Sequence, residues 1–321
     1  MRIPSFVFTA ALLLSGAGAN AEEYPSKPIR VIVPYAAGST GEAAFRIIAN
    51  DIEARLPQRF VVESRAGAAG NLGAGFVAAA EPDGYTLLLG ATNNFTINQH
   101  LYPNIGFDPL TAFAPIGVLV DLPFVAYASA ALPATTLQEV ATLAKQKPNS
   151  MNYASSGIGS PMQLGGVLFS QIAGIEMTHV PFRSNAQSTT ALLGNEVQFY
   201  VGLIAGAPEL ADTGKLRILA TAGPERSPAL PNIPSAAEAG FPTFKISNWW
   251  ALAAPRGTPS AVIDTLSREF RKSLSNPGVK ERLLKIGMVP IGNTPAEFGE
   301  QIRRESAVWS GVIKSANITL N

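Results

Sequence analysis

The sequence predicts an α/β fold in two lobes, each a mainly parallel sheet flanked by helices. Three observations carry that prediction. Short apolar runs rich in β-branched residues, the first at Ile29–Val33, alternate with stretches of helical period such as Phe45, Ile48, Ile52 and Leu56. The 321 residues suffice for two cores of ordinary size. One arrangement, strand then small-residue loop then helix start, occurs twice, at 34–42 and at 155–161. Ligands of such sheets sit at the carboxyl ends of the strands, where both loops lie.

Bulk composition narrows the function classes. Hydrophobic residues make up 47% and charged ones 15%, which places the chain with compact globular proteins rather than disordered ones. The 24 Lys and Arg against 23 Asp and Glu leave a formal charge of +1, so no global field attracts nucleic acid. An acidic ligand must then be caught by local geometry. The absence of cysteine excludes disulfides, thiolate metal sites, a cysteine nucleophile and a lipidated cysteine. Arg2, the apolar stretch 6–14 and the A-x-A pattern Ala19-Asn20-Ala21 read as a signal peptide over 1–21, with Glu22 the first mature residue. No later run of roughly 18 apolar residues is present. A freely diffusing periplasmic monomer is expected.

In chain order, the strand at 29–33 leads into Pro34-Tyr35-Ala36-Ala37-Gly38-Ser39-Thr40-Gly41-Glu42 and then a helix. A loop of Gly, Ser and Thr leaves backbone N–H groups uncovered, and the helix adds unpaired N–H groups and a positive dipole end. Such a place suits an anion. Strands follow at 60–63 and 86–89, separated by the glycine-rich stretch 67–75 and the turn Pro82-Asp83-Gly84, and then the polar loop Ala91-Thr92-Asn93-Asn94. The stretch 97–115 has little period and reads as irregular; apolar runs at 116–120 and 124–128 follow it. Thr136-Leu137-Gln138-Glu139 is a capping box opening a helix. The strand at 151–154 delivers Ser155-Ser156-Gly157-Ile158-Gly159-Ser160-Pro161, with Ser160 placed to cap and Pro161 at the first helical position. A strand at 177–180 delivers Pro181-Phe182-Arg183-Ser184-Asn185 to another helix start. Strands at 197–201, 216–220 and 244–253 and three C-terminal helices complete the chain, the last opened by the capping box Thr294-Pro295-Ala296-Glu297.

Most catalytic and cofactor patterns are missing. Gly73-Ala74-Gly75-Phe76-Val77-Ala78 has the G-x-G-x-x-A form, but it does not directly follow a strand, and no acidic residue ends a second strand at the required distance. No G-x-x-x-x-G-K-[ST] and no G-x-S-x-G occurs. The two histidines, His100 and His179, belong to no zinc or triad pattern. His179, in an apolar strand, reads as a packed or hydrogen-bonded core residue. Arg46 reads as a solvated or salt-bridged helix residue. For Arg183, a ligand contact and a lobe-to-lobe salt bridge both remain open. Trp249 and Trp250 point to opposite faces of a strand, one into the core and the other toward a cleft. No cofactor and no metal site are expected.

Taken together, the motifs resemble the Bug-type solute-binding proteins of tripartite tricarboxylate transporters over nearly the whole mature chain. The resemblance runs through Tyr24-Pro25-Ser26-Lys27-Pro28, the loop at 34–42, Glu63-Ser64-Arg65-Ala66-Gly67-Ala68-Ala69-Gly70-Asn71, Pro82-Asp83-Gly84-Tyr85 and Asn152-Tyr153-Ala154-Ser155-Ser156-Gly157. It continues through Val180-Pro181-Phe182-Arg183, Arg226-Ser227-Pro228 and Ala254-Pro255-Arg256-Gly257-Thr258-Pro259. It implies a two-lobed periplasmic-binding-protein fold of type II, with 22–124 and 248–321 as lobe 1, 125–247 as lobe 2, and two crossing strands. It implies a non-catalytic receptor that closes over a small organic carboxylate and delivers it to membrane permease subunits. The implied ligand positions are Tyr35, Ala37, Gly38, Ser39, Thr40, Gly41 and Glu42 of lobe 1, and Ser155, Ser156, Gly157 and Ser160 of lobe 2. Thr92, Asn93, Phe182, Arg183 and Ser184 are the other implied wall positions.

The departures from the family pattern carry information too. Ser39 stands where the second glycine of the first loop is usual, and Glu42 stands for an aspartate. Ala191 and Gly202-Leu203 replace acidic positions of the second lobe, so groups that would hold a ligand amine are missing. The expected ligand is an aromatic or aliphatic carboxylate without an ammonium group. A receptor reporting to a sensor kinase is the alternative within binding proteins, and a periplasmic hydrolase or transferase is the alternative outside them.

Overall fold

The computed structural model describes residues 24–204 and 206–320, so the signal-peptide reading of 1–21 lies outside them. The first half of the chain forms β1 (Ile29–Val33), α1 (Thr40–Glu53), β2 (Phe60–Ser64), α2 (Asn71–Ala78), β3 (Thr86–Ala91), α3 (Asn98–Leu101), β4 (Phe113–Ser129) and α4 (Leu137–Gln146). It continues with β5 (Asn152–Ser155), α5 (Pro161–Ala173), β6 (Thr178–Pro181), α6 (Asn185–Leu193), β7 (Phe199–Leu203), α7 (Ala207–Asp212) and β8 (Leu216–Thr221). The C-terminal part supplies β9 (Ser247–Pro255), α8 (Ser260–Ser275), α9 (Pro277–Lys285), β10 (Val289–Pro290) and α10 (Pro295–Ser315).

Two sheets share one strand. The first half of β4 pairs antiparallel with β9, which continues through β3 and β1 to β2. Beyond Pro123 the same strand pairs with β7 on one side and β8 on the other, and β7 leads to β5 and β6. Among the named strands, β1 pairs in parallel with β2 and β3, and β5 with β6 and β7. The strands that join the lobes run against them. The result is a two-lobed type II fold, with the carboxyl ends of β1 and β5 presenting their loops.

The apolar runs 116–120 and 124–128, expected as separate pieces, are one strand of 17 residues. Pro115 and Pro123 would interrupt an ordinary central strand because proline cannot donate to the ladder. Here the register shifts between Pro115 and Gly117, and Pro123 sits where the partner changes from β9 to β7. A π-helical turn spans Asn93–Ile97, beginning in the expected polar loop, and α3 follows directly at the start of the 97–115 stretch expected to be irregular. The capping box at Thr294 forms in full, whereas Glu139 reaches back to the N–H of Thr135 (2.6 Å) rather than that of Thr136.

The lobe 1 sheet is buried on both faces. Phe45, Ile48 and Phe270 cover one face; Phe95, Phe113 and Phe298 cover the other. Trp249 and Trp250 enter opposite faces as strand alternation requires, but both are buried, at 2% and 4% exposure, so neither is open to a cleft. Long indoles flanking the sheet are instead claimed by packing: Trp249 stacks on Phe95, and Trp250 takes the edge of Tyr35. α10 serves both lobes. Its Phe298 and Ile302 fill the lobe 1 core, and its Trp309, Val312 and Ile313 join the core of lobe 2.

Thr92 ties β3 to β9. Its hydroxyl accepts from the Trp249 N–H (2.9 Å) and donates to the Trp249 carbonyl (3.3 Å), all out of contact with solvent. Thr92→Val preserves the shape and leaves the buried N–H unpaired, which costs about 1–3 kcal/mol. Urea unfolding is expected to show a lower midpoint at unchanged slope; an unchanged midpoint would refute this role.

Candidate functional site

The first loop is built around its own carboxylate. Gly38 adopts a φ of 79°, and Ser39 caps α1 by accepting from the N–H of Glu42 (3.4 Å). Glu42 then folds back: one carboxylate oxygen accepts from the Gly38 N–H (2.9 Å) and the other accepts two bonds from Arg46 (2.9 and 2.6 Å). The Gly38 hydrogen bond, ahead of the Arg46 pair, holds the Glu42 carboxyl below its ordinary range. Glu42 is 7% exposed and committed within the loop, so it is a brace for the loop rather than a ligand contact, and the Gly38 N–H is already taken. The N–H groups of Ala37, Thr40 and Gly41 have no partner among the described residues.

Below this loop the packing is close. A Cβ on Gly41 would fall 2.1 Å from the Trp250 ring, so only glycine lets the first turn of α1 lie on the indole. Tyr35 meets Trp250 edge-on at 5.2 Å and donates its hydroxyl to Asn94 Oδ1 (3.1 Å). Tyr35 therefore supports the loop from below. After β3, the structure corrects Thr92, which is turned into β9, while Asn93 stays half-buried and makes no side-chain hydrogen bond among the described residues. Asn94, absent from the sequence-based set, is the organising residue here. Its Oδ1 accepts from Ala91 N–H (3.0 Å) as well as Tyr35, while its buried Nδ2 has no partner among the described residues and faces the Cα of Gly70. Only the register of the π-helical turn decides which of the two asparagines turns inward.

The second loop hangs from Ser155, which is fully buried. Its hydroxyl meets His179 Nε2 (2.6 Å), accepts from the Gly157 N–H (3.1 Å) and lies 3.1 Å from the Gly157 carbonyl. Its carbonyl accepts from the Phe182 N–H (2.9 Å) and the Ser188 hydroxyl (2.9 Å). Ser155 is thus a loop anchor and not an open ligand donor. The Ser156 hydroxyl rests on Met162 Sδ (3.4 Å), and Ser160 caps α5 by accepting from Gln163 N–H (3.3 Å). The N–H groups of Ser156 and Ile158 have no partner among the described residues, and Gly157 stays half-exposed with a φ of 128°.

The neighbouring wall is more polar. Phe182 is half-buried against lobe 2, Ser184 caps α6 by accepting from Gln187 N–H (3.3 Å), and Gln187 accepts from the Arg183 N–H (3.0 Å). The exposed Arg183 side chain forms no ion pair among the described residues. The sequence-based set therefore divides. Ala37, Thr40, Gly41, Asn93, Ser156 and Arg183 present open groups and Phe182 packs on the lobe 2 core, whereas Tyr35, Gly38, Ser39, Glu42, Thr92, Ser155, Gly157, Ser160 and Ser184 are engaged in holding the loops.

Two α/β lobes sharing a strand, each with uncovered N–H groups where a strand hands over to a helix, define a solute-binding architecture. The chain belongs to the tripartite tricarboxylate transporter family of receptors, whose model matches residues 44–318. It is 30% identical to protein BugT of Bordetella pertussis over 98% of this chain and 96% of that one. Among solved structures, it is similar to an R. palustris protein solved with adipate (30% identity, TM-score 0.75, covering 93% of this chain and all of the other). It is also similar to MatC from Rhodopseudomonas palustris with bound malate (29% identity, TM-score 0.71, covering 90% and 100%). Among the described residues, no helix is long and apolar enough to cross a membrane.

The sign of the Glu42 effect is definite. A carboxyl whose folded pKa is depressed stabilises the fold above its unfolded value, near 4.5, and loses that contribution as pH falls through the folded value. Wild type is expected to be more stable than Glu42→Gln at neutral pH, with the gap closing in acid below about 4.5. A gap that stays constant from neutral pH into that acid range in chemical unfolding would show that the Glu42 charge does not brace the loop.

Proposed function

We propose that this chain is a periplasmic, non-catalytic receptor that captures a small organic carboxylate between lobe 1 (22–124 and 248–321) and lobe 2 (125–247). It delivers that carboxylate to the membrane permease subunits of a tripartite transporter. One observation carries the reading: N–H groups without a partner among the described residues stand at the start of α1 (Thr40, Gly41) and in the loop before α5 (Ser156, Ile158), on opposite lobes. Aligned peptide dipoles make each place favourable for an anion, and lobe closure would bring both to one carboxylate. The adipate and malate of the two related structures support the ligand class.

The hydrolase alternative is disfavoured by the one serine–histidine pair near the site. Gln163 Oε1 accepts from the Gly159 N–H (2.7 Å), which turns its amide nitrogen toward His179 Nδ1 (3.2 Å). Nδ1 must then accept, so the ring proton sits on Nε2 and points at Ser155. A histidine that donates to a serine is no base for it. In addition, Ala191 is buried and Gly202-Leu203 carry no acid, so an ammonium group finds no partner there.

A melting panel of adipate, malate, aspartate and glutamate tests the ligand class. Ligand at a hundred times its dissociation constant stabilises by about 2.7 kcal/mol, and a shift is expected for the plain dicarboxylates. A shift with the amino acids alone would refute the reading. Ser39→Phe and Ser156→Phe, each folded by circular dichroism, are expected to lose binding; unchanged affinity in both would remove the two-loop clamp.

A further inference from the structure

The hydrogen bonds around His179 form a closed chain with one consistent set of donors. Gly159 N–H donates to Gln163 Oε1, Gln163 Nε2 donates to His179 Nδ1, and His179 Nε2 donates to Ser155 Oγ, which accepts from Gly157 N–H. The imidazole stacks on Tyr153 at 5.0 Å and is half-buried. Both loop glycines, each at positive φ, are thus tied to one ring. We propose that His179, neutral and protonated on Nε2, is the positioning residue for the Ser155–Ser160 loop, and that a second proton on the ring releases the loop and lowers ligand affinity.

The chemistry of release follows from the donors. A proton on Nδ1 would oppose the Gln163 NH2, two donors face to face. Turning the amide over supplies an acceptor to the ring but presents NH2 to the Gly159 N–H, so the conflict moves into the loop. Among the described residues, no carboxylate is at hand to absorb the charge. β5 offers only the Tyr153 phenol, α5 and α6 contain no charged residue, and the nearest charges along the chain are the exposed Glu176 and Arg183 that flank β6. Burial accordingly holds the imidazole below the ordinary histidine range. An unfolded or opened loop takes its proton first as pH falls through about 6.5, so acid favours the open loop and neutral pH the formed one.

The affinity half of this proposal rests on the carboxylate reading above; the lock itself does not. Ring nitrogen NMR of histidine-labelled protein is expected to show Nε2 protonated and Nδ1 bare at neutral pH. The backbone amides of Gly157 and Gly159 should titrate with the His179 ring, not with His100. With adipate as the first probe and malate as the second, calorimetry in wild type should show the apparent dissociation constant rising about tenfold per pH unit below the ring midpoint. Gln163→Glu provides acceptors for both Gly159 N–H and a protonated Nδ1. It should raise the His179 midpoint and remove that fall in affinity, while the comparison cancels the probe's own titration. An Nδ1-protonated ring, glycine amides that do not follow the ring, or a ring that stays neutral until acid unfolding overturns the lock. A pH dependence equal in wild type and Gln163→Glu overturns the affinity half. The expected ring and amide behaviour without binding of either probe overturns the carboxylate reading alone.

Discussion

Everything in this molecule hangs from β4 being a member of two sheets. A strand can change partners along its length only where its ladder is interrupted, and Pro123 marks that place: β9 pairs up to Pro123, and β7 and β8 take over beyond it. Because both sheets are antiparallel at this strand, the parallel units lie outboard of it. α10 binds the two halves further by placing Trp309 and Val312 in the opposite core, while the Thr92–Trp249 bonds fasten β9 to β3 within lobe 1.

Each of the two strand-to-helix loops is stiffened by a partner outside its uncovered N–H groups. In lobe 1 the carboxylate of Glu42 and the face of Trp250 do this; in lobe 2 it is the ring of His179. Preformed donors are an advantage in binding, since less ordering remains to be done when the ligand arrives. The two solutions differ in their response to acid. A paired carboxylate holds until it is protonated well into the acid range, whereas a buried neutral imidazole gives way closer to neutrality.

Much of this was legible in the sequence because it is local. The β-branched run of β1, the cap at Ser160 with Pro161 behind it, and the capping box at Thr294 depend on neighbours a few residues away, and each formed as read. What stayed hidden depends on distant partners. Two prolines hid the continuity of β4, because a proline fits inside a strand only at special places, here a register shift at Pro115 and a change of partner at Pro123. Thr92 looked like an open hydroxyl, yet its partner lies on β9 and was not visible from its own loop. Glu42 read as part of the ligand wall, but a glutamate one methylene longer than the aspartate usual at this position reaches its own loop at Gly38. His179 read correctly as a hydrogen-bonded residue, and only the fixed amide of Gln163 reveals which nitrogen carries its proton.

The central claim is that one carboxylate engages both lobes at once. Amide hydrogen exchange in the absence and presence of saturating adipate addresses it directly, read at Thr40 and Gly41 on one side and at Ser156 and Ile158 on the other. Slowed exchange at both sets together is expected of a clamp that closes on its ligand. Slowed exchange on one side only, with the other loop unaffected, would contradict it.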